Sequence, residues 1–273
     1  MMKTLKVDVT KCIGCHNCQL ACKDEHVGND WSPIAGPQSE GQFWIRVDEH
    51  ERGKLPRVRL DCVAIMCQHC AAAPCMAACP QKAIYRRDDN IVLINGDKCN
   101  GCKDCIAACP YEVINFNEEL KVAQKCTMCA HLLDRGWKEP RCVTACPTET
   151  LTFVDWEQIE ALGGRKEFLR PEANTKPRVA YMGLPKPFAV GEVYSPAEDA
   201  CLEGVVVTMT HLTTGDVQTV RTNNYGDFKV NGLKPGTYAL SVEKDGYYPK
   251  QISSLEVEEA ADMGEIKLYR KRA

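Results

Sequence analysis

The stretch "CNGCKDCIAACP" packs four cysteines into eleven positions, and three other stretches do nearly the same. The motifs are Cys12, Cys15, Cys18, Cys22; Cys67, Cys70, Cys75, Cys79; Cys99, Cys102, Cys105, Cys109; and Cys126, Cys129, Cys142, Cys146, which use sixteen of the 18 cysteines. Thiolates at CxxCxxCxxxC, the spacing of the first and third motifs, are the ligands of iron-sulfur clusters. The second motif widens one gap to CxxCxxxxC, the fourth inserts twelve residues between Cys129 and Cys142, and Pro80, Pro110 and Pro147 follow the last cysteine in three of the four. A CxxCxxC loop wraps three thiolates around one face of a cubane, with Gly14 and Gly101 letting the backbone come close. The last cysteine, four residues on in "CQLAC" and "CIAAC", falls one helical turn further along and points away from its own cluster. In two-cluster ferredoxins that cysteine ligates the other cluster, so four motifs make two such units. A tetrahedral zinc site needs only four ligands and has no use for the proline.

The elements that must position these loops repeat with them. An apolar residue recurs five positions beyond the last cysteine, as Ile84, Ile114 and Leu151. The stretches "AIYRRDDNIVLI", with turn residues Asp88, Asp89 and Asn90, and "VINFNEELKVA" read as hairpins between motifs. The unit is motif, short helix, hairpin, motif. Residues 1–155 are therefore expected to form a double ferredoxin-like domain, with residues 23–65 as an insertion too long for a simple loop. That insertion reads as a contact region in which Trp31, Phe43 and Trp44 either anchor an interface or pack on their own domain. Residues 156–197 read as a short helix and a proline-studded, extended, wrapping linker. Residues 198–273 alternate or run β-branched between turn signals such as "TTGD" and "GLKPG", the pattern of a small antiparallel β-sandwich. The fold class expected is α+β.

Seventeen of the cysteines precede residue 147, leaving Cys201 alone in the last third of this 273-residue chain. Tight CxxC units in a chain of this size argue for metal rather than a disulfide framework. A formal net charge of -3 argues against nucleic acid as a partner. No apolar run approaches the ~20 residues of a membrane helix, so no direct membrane insertion is expected. The opening "MMKTLKVDVTKC" enters the first motif without an apolar leader, and the cytoplasm is the expected compartment.

With these motifs on view, residues 1 to about 185 resemble the four-cluster iron-sulfur subunits of the dimethyl sulfoxide reductase family of molybdenum and tungsten oxidoreductases. The likeness rests on "CIGCHNCQLACKDEH", "CQHCAAAPCMAACP", "CNGCKDCIAACPYEVINF" and "AQKCTMCAHLLDRGWKEPRCVTACP". It implies four [4Fe-4S] clusters, held by Cys12, Cys15, Cys18 and Cys146; by Cys126, Cys129, Cys142 and Cys22; by Cys67, Cys70, Cys75 and Cys109; and by Cys99, Cys102, Cys105 and Cys79. It further implies a heterodimer in which this chain relays electrons to or from a molybdopterin guanine dinucleotide site, with Mo or W, in a large catalytic subunit. The chain itself is expected to carry no catalytic site, and it lacks GxSxG, HExxH, Walker A and GxGxxG patterns. The segment "TNNYGDFKVNGLKPGTYALSVEKDGY" resembles transthyretin-like or Cna-B-like modules, and in this family such a tail resembles the phenol-transhydroxylating branch, implying a phenolic substrate for the partner. The alternatives are a free polyferredoxin, a molybdoenzyme subunit with a non-aromatic substrate, a scaffold whose clusters no longer conduct, and export beside a partner bearing a twin-arginine signal.

The remaining candidates have plainer readings. Cys62 and Cys201 read as buried or structural thiols, with Cys62 a rarer substitute ligand. His16, His69 and His131 adjoin cysteine loops and are candidate donors to cluster sulfur. His26, His50 and His211 have no recognisable partner. Lys98, Lys103 and Lys125 read as surface lysines that happen to neighbour ligands, and Tyr247 and Tyr248 as cover for a sandwich edge.

Overall fold

The structure, a computed structural model, describes residues 2–55 and 57–271. The chain divides into two compact units, one of Met1–Glu49 and Asp61–Leu184, the other of His50–Leu60 and Pro185–Ala273.

In the first unit, Leu5 and Val7 are fully buried on a strand, Lys3–Asp8, that pairs with two others. It runs antiparallel to Leu151–Asp155 in the register Lys3↔Asp155 to Val7↔Leu151, and parallel to Ala180–Met182. The Asp8 N–H continues the first pairing by donating to the Thr150 carbonyl at 2.8 Å. One of these strands leads into the first cysteine motif and the other leaves the fourth, so their pairing sets those motifs side by side. The middle motifs are joined by a hairpin instead. Ile84–Arg86 pairs with Val92–Ile94, with Asp89 Oδ1 accepting from the Ile91 N–H across the turn. The chain therefore returns at Cys99 beside the point it left at Cys79. A second hairpin, Asn115–Asn117 with Val122–Gln124, is closed by Asn117 Oδ1, which accepts from the N–H groups of Glu119 and Leu120. Both hairpins fall where the repeat predicts them. Each motif ends on a short helix or just past one: Asn17–His26, Pro74–Ala78, Asp104–Ala107 and Arg141–Thr144.

The expected insertion 23–65 is not a loop. It begins inside the helix Asn17–His26 and from Ile45 is mostly a long hairpin, Ile45–Lys54 with Arg57–Met66. Residues 50–60 of that hairpin belong to the second unit, where Arg57 pairs with Asp227 at 3.1 Å, Glu192 at 3.3 Å and Asp262 at 3.6 Å. Charged residues along "IRVDEHERGK" hide the strand from a hydrophobic-pattern reading.

The second unit also starts earlier than residue 198. Phe188–Ser195, read from sequence as linker, is the central strand of a sheet. It pairs antiparallel with Asp227–Asn231 and Ala200–Cys201, and parallel with Ala260–Lys267. Pro185 and Pro187 precede this strand rather than interrupt it, which is where prolines are tolerated. The parallel pair corrects the expectation of a purely antiparallel sandwich: the last strand returns beside the first in the same direction. The other sheet, in the order Val217–Arg221, Val206–His211, Gly236–Glu243, Lys250–Val257, is antiparallel throughout. Val206–His211 alternates half-buried with buried residues, as a strand with one face on a core must. Val193, Val207, Met209, Val230, Leu240 and Val242 fill that core.

Leu240→Ala should lower stability by about 2–5 kcal/mol by opening a cavity, and the exposed Leu212→Ala should change it by less than about 0.5 kcal/mol. Denaturant unfolding followed by circular dichroism checks both.

Candidate iron-sulfur centres

The electrostatic couplings among the thiols run between motifs as well as within them. Burial pushes Cys18 up to about 12, and repulsion from Cys12, Cys146 and Cys15 adds to it. Cys12 is raised by burial and then by Cys146 and Cys15. Burial holds Cys22 and Cys142 far above the usual thiol range, with Cys126 and Cys129 contributing to both. Burial brings Cys75 to about 12, helped by Cys67, Cys109 and Cys70. Cys105 reaches about 11 through burial and then through Cys99, Cys102 and Cys79. Four thiolates confined together repel one another and cannot all ionise until a cation joins them, so metal binding must release their protons. Cys146 is the exception: burial works to raise it, but donors from Leu151, Thr148 and Thr150 outweigh burial and lower it.

The backbone of the four motifs shares one local device. The residue before the second cysteine is left-handed in all four motifs: Gly14 at φ 67°, His69 at 42°, Gly101 at 72° and Met128 at 54°. That twist turns its N–H back onto the first cysteine, with His69 N–H to Cys67 Sγ at 3.5 Å and Met128 N–H to Cys126 Sγ at 3.4 Å. Glycine is required where space is also short. A Cβ on Gly101 would stand 2.8 Å from the Lys121 carbonyl oxygen, and one on Gly14 would stand 2.8 Å from Cys62 Sγ.

The prolines have a separate task. After Cys79, Cys109 and Cys146 the chain makes the same turn, closed by Lys82, Glu112 and Glu149 N–H groups donating to the cysteine carbonyls. Proline presets the φ that such a turn needs at its second position. The turn's last residue is again left-handed, at φ 51° to 54°. After Cys79 the following N–H, that of Ala83, then donates to the Sγ at 3.3 Å. Proline spacing alone does not reveal this turn, because the hydrogen bond that closes it forms only once the following residue is left-handed.

A small cavity of about 10 Å³ lies among Cys22, Cys126, Cys129 and Cys142, walled by Leu5, Ile45, Met66 and Met128. A zinc ion with Zn–S bonds of about 2.3 Å would draw its sulfurs to within about 3.8 Å of one another. Among the described residues no group of three or more His, Cys, Asp or Glu side chains is arranged to hold a single ion. Thiols that are electrostatically coupled across motifs, with none arranged around a single ion, suit a body in which sulfide bridges several metal atoms. The chemistry of the donor set therefore fits a cubane cluster.

The other candidates divide. Cys62 packs against the first loop at Gly14, whereas Cys201 is exposed in the second unit and donates to Glu192 Oε1 at 3.3 Å. His16 bonds Gln19 and Glu49, and His131 Nε2 meets Glu25 at 3.0 Å. His26 is buried against Trp44, and burial lowers its pKa to about 3. Trp44 is thus a core residue, Trp31 stacks on His131, and Phe43 is exposed beneath the Lys23 ammonium. Lys103 is exposed over the Phe116 ring, as expected of a surface lysine, but Lys125 is buried.

Two family models for a 4Fe-4S dicluster domain match residues 11–83 and 58–156, and one for a carboxypeptidase regulatory-like domain matches residues 190–268. The pyrogallol hydroxytransferase small subunit of Pelobacter acidigallici is 37% identical over 96% of this chain and 97% of its own length. The chain belongs to the iron-sulfur electron-transfer subunits of the molybdoenzyme oxidoreductases. Other members are similar over less of it. The thiosulfate reductase electron transfer subunit of Salmonella typhi is 38% identical over 60% of this chain and 83% of its own. The arsenate respiratory reductase iron-sulfur subunit of a Shewanella species is 30% identical over 64% of this chain and 94% of its own. Members of this family work beside a catalytic partner that holds the Mo or W cofactor.

Gly101→Ala should cost the chain about four irons, one cubane's worth, by straining the third loop. Cys62→Ser should keep the full iron content, because Cys62 is a packing residue. Iron analysis of anaerobically purified protein reads both outcomes.

Proposed function

We propose that this chain relays electrons through four [4Fe-4S] clusters to or from a molybdopterin site in a large catalytic subunit, which acts on a phenolic substrate. The observation that supports this reading is the coupling of thiols across motifs, Cys12 with Cys146, Cys22 with Cys126 and Cys129, Cys75 with Cys109, and Cys105 with Cys79. One cluster would be held by Cys12, Cys15, Cys18 and Cys146, the next by Cys126, Cys129, Cys142 and Cys22. A third would be held by Cys67, Cys70, Cys75 and Cys109, and the last by Cys99, Cys102, Cys105 and Cys79. When bound, each supplies a one-electron relay site.

A linear order is supported by the couplings between sets. Cys18 acts on both Cys22 and Cys142, and Cys67 acts on Cys126. Cys75 and Cys105 share one apolar cluster. The two inner sets are the more enclosed, and the outer sets each expose one cysteine, Cys15 and Cys102. Enclosure keeps water from the middle of the relay while leaving both ends within reach of partners. The phenolic substrate is supported by the likeness, tail included, to the pyrogallol hydroxytransferase small subunit. Among the described residues no helix is long and apolar enough to cross a membrane. The likeness over nearly its whole length to the small subunit of pyrogallol hydroxytransferase supports a heterodimer, for which the cytoplasm is the proposed compartment.

The test is anaerobic purification of the untagged complex from its host, followed by metal analysis and mixing with pyrogallol. The reading expects about sixteen irons per chain, stoichiometric Mo or W in a co-purifying large subunit, and a rapid change in the cluster spectrum on mixing. Iron without Mo or W would favour a free polyferredoxin, and a spectrum that ignores phenols but responds to another substrate class would overturn the aromatic assignment.

A further inference from the structure

Two buried groups beside the inner sets are not needed as ligands. Lys125 is 3% exposed and is the buried lysine among the described residues. Its Nζ donates to the Val92 carbonyl and, at 3.2 Å, to the Cys126 carbonyl. Among the described residues no carboxylate pairs with it. Burying an ammonium without a counter-charge is costly, and the negative charge it can answer here is that of ligand thiolates. Its two acceptors reach sets on either side: Val92 packs in the apolar cluster that holds Cys75, and Cys126 is itself a ligand of the neighbouring set.

His69 is 2% exposed and lies between the ligands Cys67 and Cys70. Its Nδ1 accepts the Val92 N–H at 3.1 Å, so in the neutral ring the proton sits on Nε2. That Nε2 has no hydrogen-bond partner, although a buried donor ordinarily has one. His69 also occupies, at φ 42°, the left-handed position that two other motifs give to glycine. A β-carbon there carries strain, and strain of this kind persists where the surroundings enforce it. One residue, Val92, fixes both groups: its N–H orients the imidazole and its carbonyl anchors the ammonium.

We propose that Lys125 and His69 tune the relay, the Lys125 charge raising the reduction potential of both inner clusters and the His69 Nε2–H donating to the cluster of Cys67, Cys70, Cys75 and Cys109. Reduction adds one negative charge to a cluster, so a nearby cation and a donor to its sulfur both favour the reduced form. An electron then rests preferentially on the inner pair, away from the two exposed ends. This inference rests on the ligand assignment proposed above.

The experiment is a potentiometric titration of the intact anaerobic complex followed by electron paramagnetic resonance, with iron counted in the same samples. Lys125→Met should lower the midpoint potentials of two clusters at unchanged iron, and Lys125→Arg should restore them toward the wild type. His69→Leu should lower one midpoint, and the exposed Lys103→Gln should move none. In addition, wild-type complex grown with histidine labelled with ¹⁵N in the imidazole ring alone, so that the His69 backbone amide on Cys67 stays unlabelled, should show a nitrogen hyperfine coupling at one reduced cluster, lost in His69→Leu. That measurement decides the matter should Lys125→Met fail to assemble. Full iron with unmoved midpoints in Lys125→Met and no histidine coupling in the wild type would overturn the tuning alone. A wild-type chain short of four clusters would overturn the ligand assignment and the tuning together.

Discussion

The pairing of Lys3–Asp8 with Leu151–Asp155 is the constraint on which the cluster-bearing unit depends. It joins the strand that enters the first motif to the strand that leaves the fourth, nearly 150 residues later, so that Cys12 and Cys146 can serve one site. The pairing is anchored by Leu5, Val7 and Leu151, all of them at most 2% exposed. The sets drawn from the second and third motifs need no such closure, because a three-residue-per-strand hairpin returns the chain from Cys79 to Cys99. Long-range sheet pairing for the first and fourth motifs and a local hairpin for the second and third therefore bring pairs of motifs together at different entropic cost.

Electrostatics then decides what these sets can hold. Buried thiols in fours are pushed toward neutrality by desolvation first and by one another second. The chain answers with backbone N–H groups aimed at sulfur and, between the inner sets, with the Lys125 ammonium. Left-handed residues before the second cysteine and proline turns after the last are the local devices that aim those N–H groups. Hydrogen bonds to sulfur and fixed charge are also what set cluster potentials, so the parts that hold the clusters are the parts that tune them.

Cysteine spacing carried most of the site in plain view, because a CxxCxxC loop is a local object whose chemistry depends on few other residues. The hairpins at Asp88–Asn90 and after Asn117 were equally legible from their turn residues. What spacing does not convey is burial. Lys125 stands next to a ligand exactly as Lys98 does, yet one is in the core, because only the fold brings Val92 over it. The strand Phe188–Ser195 was hidden by the prolines before it, and the hairpin from Ile45 by its charged face. Both are cases in which tertiary pairing, absent from any local pattern, selects the structure.

The crossed ligand sets are the central claim, and iron counting in Cys15→Ser, Cys22→Ser and the double variant tests them most directly. Both cysteines belong to the first motif, but the account assigns them to different clusters. It predicts that each single variant loses about four irons and the double variant about eight. A double variant that loses no more iron than either single one would mean that the first motif holds one cluster by itself, and would contradict the account.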